Sequence, residues 1–289
     1  MMHRVEGQRE LLGTKVSIIL VGFDEARCWD LLERAFAECA RIERSYSRFL
    51  ESSFLSQLNG KVGEWAEVPE ELYELISFAE RTRERSEGAF DITIKSILDG
   101  WGYDAGYSLK EHSPGHTGKV ELKDSKVFLH APIDLGGLGK GYALDRMLTA
   151  CDGLANVFID AGGDIVARGK QEDDSPWMVA FEHPTDLTRG IGQVDVDGFA
   201  VACSSPSRRQ WRNRHHLVDP HRALPAENML AVYTQAPAAL LADTYSTALF
   251  ALGFDRAQEL LPQLPIEAMP VAPDGRVFVS GGFKGTFFT

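Results

Sequence analysis

The first strongly apolar run, LLGTKVSIILVG at residues 11–22, predicts a buried strand, after which the apolar positions switch to helical spacing. Asp24 stands where an N-cap belongs, so a long helix is expected from there to about Ser45. PEELYELISFAERTRERSEG reads as a second helix, opened by Pro69 and closed near Gly88. VELKDSKVFLHA has the pattern of a hairpin, with Asp124 and Ser125 at its turn. YALDRMLTACDG returns to helical spacing, and NVFIDAGGDIVARG reads as two strands around Gly162 and Gly163. From about 176 to 236 the pattern is mostly strand, including WMVAFEH, GFAVACS and MLAVYTQ. Pro237 to about Leu264 reads as helical, and VAPDGRVFVSGG as a hairpin around Asp274 and Gly275. No internal repeat or low-complexity linker breaks the chain. The alternation is irregular, which places the fold in the α+β class and not among regular βαβ windings.

Composition narrows the possible partners. The 289 residues are 44% hydrophobic, enough for a sizeable core. A net charge of −12 argues against DNA, RNA or an anionic membrane, which need a basic footprint; a nucleotide needs only a local cluster of donors. One basic segment, RRQWRNRHH (208–216), is either a solvated strand or loop or a phosphate-facing element. Cys28, Cys39, Cys151 and Cys203 are scattered, which suits free thiols in a reducing compartment. MMHRVEGQRELLGT carries no apolar leader, and no stretch reaches the roughly 18 apolar residues of a membrane span. The expectation is a soluble, cytoplasmic chain.

Candidate chemistry sits in a few motifs. PIDLGGLGKGYALDRML fails as a phosphate loop of the Walker type, because Asp134 stands five before Gly139 and Lys140 is followed by Gly141. It also misses the dinucleotide fingerprint, since Tyr142 follows Gly137 and Gly139 where a third glycine belongs. Glycines before a helix N-terminus still suit close approach of an anion; a tight turn with no ligand is the plainer reading. In LADTYSTALF, Asp243 and Thr247 lie four apart on one helix face, a carboxylate and hydroxyl that suit Mg²⁺. Alternatively, Asp243 faces solvent or caps a neighbour while Thr247 packs. RNRHHLVDPHRALP offers a histidine general base, a zinc set of His215, His216 and His221, or ordinary strand residues. GAFDITIKSILDGWGY places Asp91 and Thr93 after a helix, in what can also be a turn packed under Trp101. Ser47 and Ser53 suit short helix caps, and the glycine pair of FIDAGGDIVARG suits a bend or bulge.

Taken in order, LLGT, SRFLESSFLSQLNG, GAFDIT with WGY, DLGGLGKGYALD, DAGGDIVARG, HHLVDP and LADTYSTALFALG resemble the ApbE family of FAD:protein FMN transferases, from about Leu11 to Phe254. The resemblance implies one α+β, T-fold-like domain of mixed sheets with packed helices over 1–289. It implies binding of FAD with Mg²⁺, cleavage of the FAD pyrophosphate, and transfer of FMN as a phosphoester to a threonine or serine of an acceptor protein, releasing AMP. Some members pass FMN to water instead. By the same resemblance Leu12, Phe49, Ala89, Phe90, Asp91, Asp134 and Lys140 would line the FAD site. The Gly137 carbonyl, Asp243 and Thr247 would hold Mg²⁺, with Ser246 as a further donor, and His216 would be the general base. Two segments depart from the family pattern. Cys203, Ser204 and Ser205 replace a Thr-Ser-Gly run, and Arg222-Ala223 replaces a Thr-Gly pair, so the second loop is expected to differ or be strained. Ile92 also stands where proline is usual. The alternatives are a Mg²⁺-dependent FAD pyrophosphatase giving FMN and AMP, and a non-catalytic FAD-binding protein.

Overall fold

Strand alternation divides the apolar residues of one large sheet between two cores. A computed structural model of the chain describes residues 1–288; the side chain of Arg208 also lies outside the described residues. β1 (His3–Leu11) and β2 (Thr14–Gly22) form a hairpin on Leu12 and Gly13, both at positive φ (56° and 67°). The sequence predicts only one strand here. The polar β1 escapes the pattern because it is an edge strand with Val5 its one buried residue.

α1 (Glu25–Tyr46) begins at Asp24, whose Oδ1 accepts from the Arg27 N–H at 3.0 Å. α2 (Phe54–Asn59) is capped by Ser53. β3 (Trp65–Glu67) precedes α3 (Glu70–Arg85), and the chain leaves α3 through Gly88 at φ 84°. A 3₁₀ turn at Ile92–Ile94 runs into α4 (Lys95–Gly100). β4 (Val120–Lys123) and β5 (Lys126–Leu129) pair around Asp124 and Ser125, and β5 also pairs with β3. α5 (Gly139–Ala150) starts inside the glycine stretch. β6 (Asn156–Ala161) and β7 (Asp164–Arg168) join through Gly162 and Gly163.

β8 (Trp177–Glu182), β9 (Gly190–Val196) and β10 (Phe199–Ser204) follow. Two short hairpins come next: β11 (Gln210–Trp211) with β12 (Arg214–His215), and β13 (Val218–Asp219) with β14 (Leu224–Pro225). β15 (Ala231–Ala236) leads to α6 (Ala239–Leu252) and α7 (Phe254–Leu260), separated by Gly253 at φ 84°. β16 (Glu267–Val271) and β17 (Thr286–Phe287) complete the order. The hairpin expected at Asp274-Gly275 is reduced to one bridge, Val271 to Val277.

The large sheet runs β1-β2-β6-β7-β10-β15-β16, and every pair in it is antiparallel. Val16, Ile18, Ile159, Val166, Ala202 and Val232 face α1, α5 and α6 in one core. Their neighbours Val21, Ile165, Val201, Tyr233 and Met269 face the β17-β9-β8 sheet in the other. Period-two alternation with both faces covered explains why these strands read as nearly continuous apolar runs. Among the described residues no helix is long and apolar enough to cross a membrane.

Candidate functional site

α5 and α6 cross where Gly141 removes the obstacle of a side chain. A Cβ there would lie 2.3 Å from the Ala239 carbonyl oxygen and 2.8 Å from the Asp243 Cβ. This glycine therefore serves helix packing. Gly136, Gly137 and Gly139 instead line a cavity of about 1160 Å³, and a Cβ on Gly137 would press on Phe90 and the Thr247 methyl, each at 3.1 Å.

The crossing sets up the most charged part of the cavity. Asp243 Oδ2 accepts from the Gly141 N–H at 2.8 Å, a carboxylate set against the first turn of α5. Its Oδ1 meets Lys140 Nζ at 3.0 Å, and the same ammonium bonds Asp164, delivered by the β6–β7 turn. Burial works against the Lys140 charge, but the two carboxylates outweigh it and raise the ammonium above its ordinary range. Burial also pushes the Asp243 carboxyl up to about 6, with Lys140 opposing the shift. One turn on, Thr247 Oγ1 lies 3.4 Å from Ser204 Oγ, which in turn is 2.8 Å from Ser246 Oγ. Ser246 donates to the Asp243 carbonyl at 2.9 Å, so a chain of hydroxyls ties α6 to the end of β10.

A second wall comes from the segment after α1. Arg48, its side chain 2% exposed, donates to Asp99 at 2.8 Å and to the Tyr103 carbonyl at 2.6 Å. Arg48 Nε also lies 2.9 Å from Asp134 Oδ2, although the N–H does not point along that line. Asp134 Oδ1 accepts from the Gly136 N–H at 2.7 Å, which holds the glycine loop in shape. Phe49 stacks on Tyr107 (5.1 Å, 13°) and meets the edge of Tyr103, which itself stacks on Trp211. Ala89 and Phe90 form the adjoining wall. The Asp91 carboxylate is turned onto the Thr93 N–H and hydroxyl and onto Arg83, so its charge is spent within the protein. Leu12 borders the opening, its N–H donating to Glu43 at 2.7 Å.

His216 closes the remaining side. Its Nδ1 is buried and has no hydrogen-bond partner among the described residues. Burial, then the nearby Arg209 charge, pushes its pKa down to about 3, so the ring is neutral at pH 7. His215 instead accepts from the Leu217 N–H at 3.3 Å and sets its ring edge-on to Phe250. His221 reaches the Glu87 carbonyl beside Gly88. The zinc set is not assembled: among the described residues no three His, Cys, Asp or Glu side chains converge as metal ligands. Ala223 adopts φ 53°, so the loop keeps a left-handed residue without glycine, as strain predicts.

Of the residues that the resemblance implies for FAD, Mg²⁺ or base, Leu12, Phe49, Ala89, Phe90, Asp91, Asp134, Gly137, Lys140, His216, Asp243 and Thr247 border one cavity, whereas Ser246 is fully buried and does not. Sequence reading gives no role to Asp164 or Arg48 in the cavity walls, names Ser204 only as a departure from the family pattern, and covers Arg209 only within the basic 208–216 run. Asp164 follows a glycine pair that reads as a bend, and only the β6–β7 turn reveals its direction.

The sequence profile of the ApbE family matches residues 12–270. The FAD:protein FMN transferase of Klebsiella pneumoniae is 26% identical over 294 residues, covering 92% of this chain and 84% of that protein. That of Treponema pallidum is 28% identical over 295 residues, covering 87% and 79%. The crystal structure of the ApbE protein of Thermotoga maritima superposes with a TM-score of 0.87 at 29% identity, covering 96% of this chain and 97% of that one. With a family profile spanning most of its length and a matching fold, the chain belongs to the ApbE family.

Proposed function

We propose that this chain, as one catalytic unit over 1–289, is a Mg²⁺-dependent FAD:protein FMN transferase. It would cleave the FAD pyrophosphate, join FMN by a phosphoester to a threonine or serine of an acceptor protein, and release AMP. The observation that carries the reading is the convergence in one cavity of the Lys140–Asp164–Asp243 cluster, the Thr247 hydroxyl and the His216 imidazole with its Nδ1 unpartnered among the described residues. The relatives' transferase names support it.

The donors suit the metal. Asp243, Thr247 and the Gly137 carbonyl would be hard oxygen ligands: Thr247 packs against Gly137, Asp243 stands one turn before Thr247 on α6, and Lys140 already marks the place as one that holds positive charge. With so few carboxylates, the remaining coordination would fall to water and substrate phosphates, as is usual for Mg²⁺. Bound there, the ion would neutralise charge on the pyrophosphate oxygens.

The protein's own groups account for the rest. The aromatic wall of Phe49, Tyr103 and Trp211 offers flat apolar surface to a flavin or adenine ring. Lys140, anchored between Asp164 and Asp243, offers a fixed N–H donor beside the phosphates. His216, neutral and with Nδ1 open, takes the proton of the acceptor hydroxyl as that oxygen bonds to the FMN phosphorus. The bond from that phosphorus to the bridging oxygen breaks, and AMP departs with the electron pair. Nearby phosphates raise the imidazole pKa from its depressed value toward the working range.

The test is an incubation with FAD, with and without Mg²⁺, and with and without a purified acceptor domain carrying a flavinylation threonine. FMN-sized mass on the acceptor, with AMP formed only when Mg²⁺ is present, is the expected result. FMN and AMP beside unmodified acceptor would replace transfer by hydrolysis, and intact FAD throughout would leave a flavin-binding protein.

A further inference from the structure

Among the described residues, three arginine or lysine side chains line the cavity: Arg48, Lys140 and Arg209. Two of them are already neutralised. Arg48 lies against Asp99 and Asp134, and Lys140 against Asp164 and Asp243. Arg209 makes no ion pair and no side-chain hydrogen bond among the described residues. It is half-buried, so its guanidinium has lost water without gaining a partner. Such a charge is unfavourable unless an anion joins it.

The neighbouring arginines are spoken for. Arg214 bonds Glu111 at 2.7 Å and lies over the Trp101 ring, 5.0 Å from its centroid. Arg212 is exposed, at φ 52° in the β11–β12 turn. The basic run in the sequence therefore contributes one described, uncompensated cation to the cavity. Its delivery is local: Ser205 Oγ accepts from the Ser207 N–H at 3.3 Å and starts a 3₁₀ turn at Pro206–Arg208, which ends at Arg209. Arg209 lines the cavity together with His216 and Tyr103, and its charge is close enough to act on both.

We propose that Arg209 is a substrate-binding residue of this site, its guanidinium clasping the pyrophosphate of the bound dinucleotide beside His216. A planar guanidinium offers two parallel N–H donors to two phosphate oxygens, which an ammonium cannot do. Lys140, held between two carboxylates, brings little net charge, so Arg209 supplies the positive field that draws a dianionic pyrophosphate into an acid-rich cavity. The assignment rests on the flavin dinucleotide reading above.

The experiment compares wild type, Arg209→Gln and Arg209→Lys with two probes: FAD, and riboflavin, which has the same ring system but no phosphate. Binding is followed by flavin fluorescence, turnover as AMP release with Mg²⁺ and the acceptor domain, and folding by thermal melting. In Arg209→Gln, FAD affinity and kcat/KM should fall on the order of 10- to 100-fold, while riboflavin affinity stays as in wild type. Arg209→Lys should recover part of the loss, because the charge returns without the fork. An Arg209→Gln protein with wild-type FAD affinity and turnover would overturn the assignment. So would equal loss of FAD and riboflavin, which marks a structural role. If Arg209→Gln fails to fold, Arg209→Lys decides: wild-type FAD affinity and kcat/KM in that variant would overturn the bidentate contact. A wild-type protein that binds neither probe would instead overturn the flavin reading, and this inference with it.

Discussion

The two sides of the cavity are built on opposite plans. On the α5–α6 side each polar group has its partner: Asp243 takes Lys140 and the Gly141 N–H, and Thr247 joins the Ser204–Ser246 hydroxyl chain. Long helices carry these groups, and the crossing at Gly141 leaves no room for adjustment. On the side of the β11–β14 hairpins, strands are two residues long, Arg212 and Ala223 sit at positive φ, and both His216 Nδ1 and Arg209 lack partners among the described residues. The first plan fixes geometry in advance, as electrostatic catalysis requires. The second leaves hydrogen-bonding capacity unspent, to be satisfied by whatever enters.

The comparison can be broken most sharply on the ordered side. Asp243→Ala removes a proposed metal ligand and the partner of both Lys140 and the Gly141 N–H. Turnover should fall by at least about 10³-fold while some FAD binding remains. Measured AMP release near the wild-type rate would place the metal elsewhere.

A smaller effect is expected across the cavity. His216→Gln should slow transfer roughly 10²-fold and leave the Mg²⁺ concentration for half-maximal rate unchanged. A variant as fast as the parent would pass the role of base to another group, His215 being the neighbour. The same variant tests the pKa argument. The unfolded imidazole takes its proton near 6.5 and the folded one only near about 3, so protonation favours the unfolded chain over that interval. His216 thus removes stability as pH falls from 6.5 toward 3, and His216→Gln should flatten that part of an acid-unfolding curve. Superimposable curves would mean that the ring is protonated in the fold.

The smallest change sharpens the strain argument. Ala223 at φ 53° bears a left-handed penalty of roughly 1–2 kcal/mol, and glycine returns about 0.5–1 kcal/mol of that as chain entropy. Ala223→Gly should therefore raise the melting temperature by about 1–3 °C without altering α5–α6 chemistry. A lower melting temperature would show that the alanine methyl, packed beside Trp101 and Val218, outweighs the strain.

Sequence legibility follows the same division. Asp24 capping α1, the Asp124-Ser125 turn and the Gly162-Gly163 turn were readable because caps and turns are settled by residues a few positions apart. β1 was not, because an edge strand with one buried side chain has too little apolar alternation to register. α7 merged with α6 in the reading, since only the backbone angle at Gly253 separates two consecutive helices.

By itself the sequence determined the long helices, the β4–β5 and β6–β7 hairpins, and the order of motifs that marks the family. Tertiary structure alone decided how the residues of those motifs are used. Lys140 meets Asp243 across 103 positions and Asp164 across 24, contacts set by the helix crossing and by the order of strands in the sheet. It also decided that Gly141 serves packing, that Asp91 is spent on Thr93 and Arg83, and that Arg209 keeps its charge uncompensated among the described residues. Charge and hydrogen-bonding capacity belong to a residue, but whether they are satisfied depends on neighbours that only the folded chain brings close.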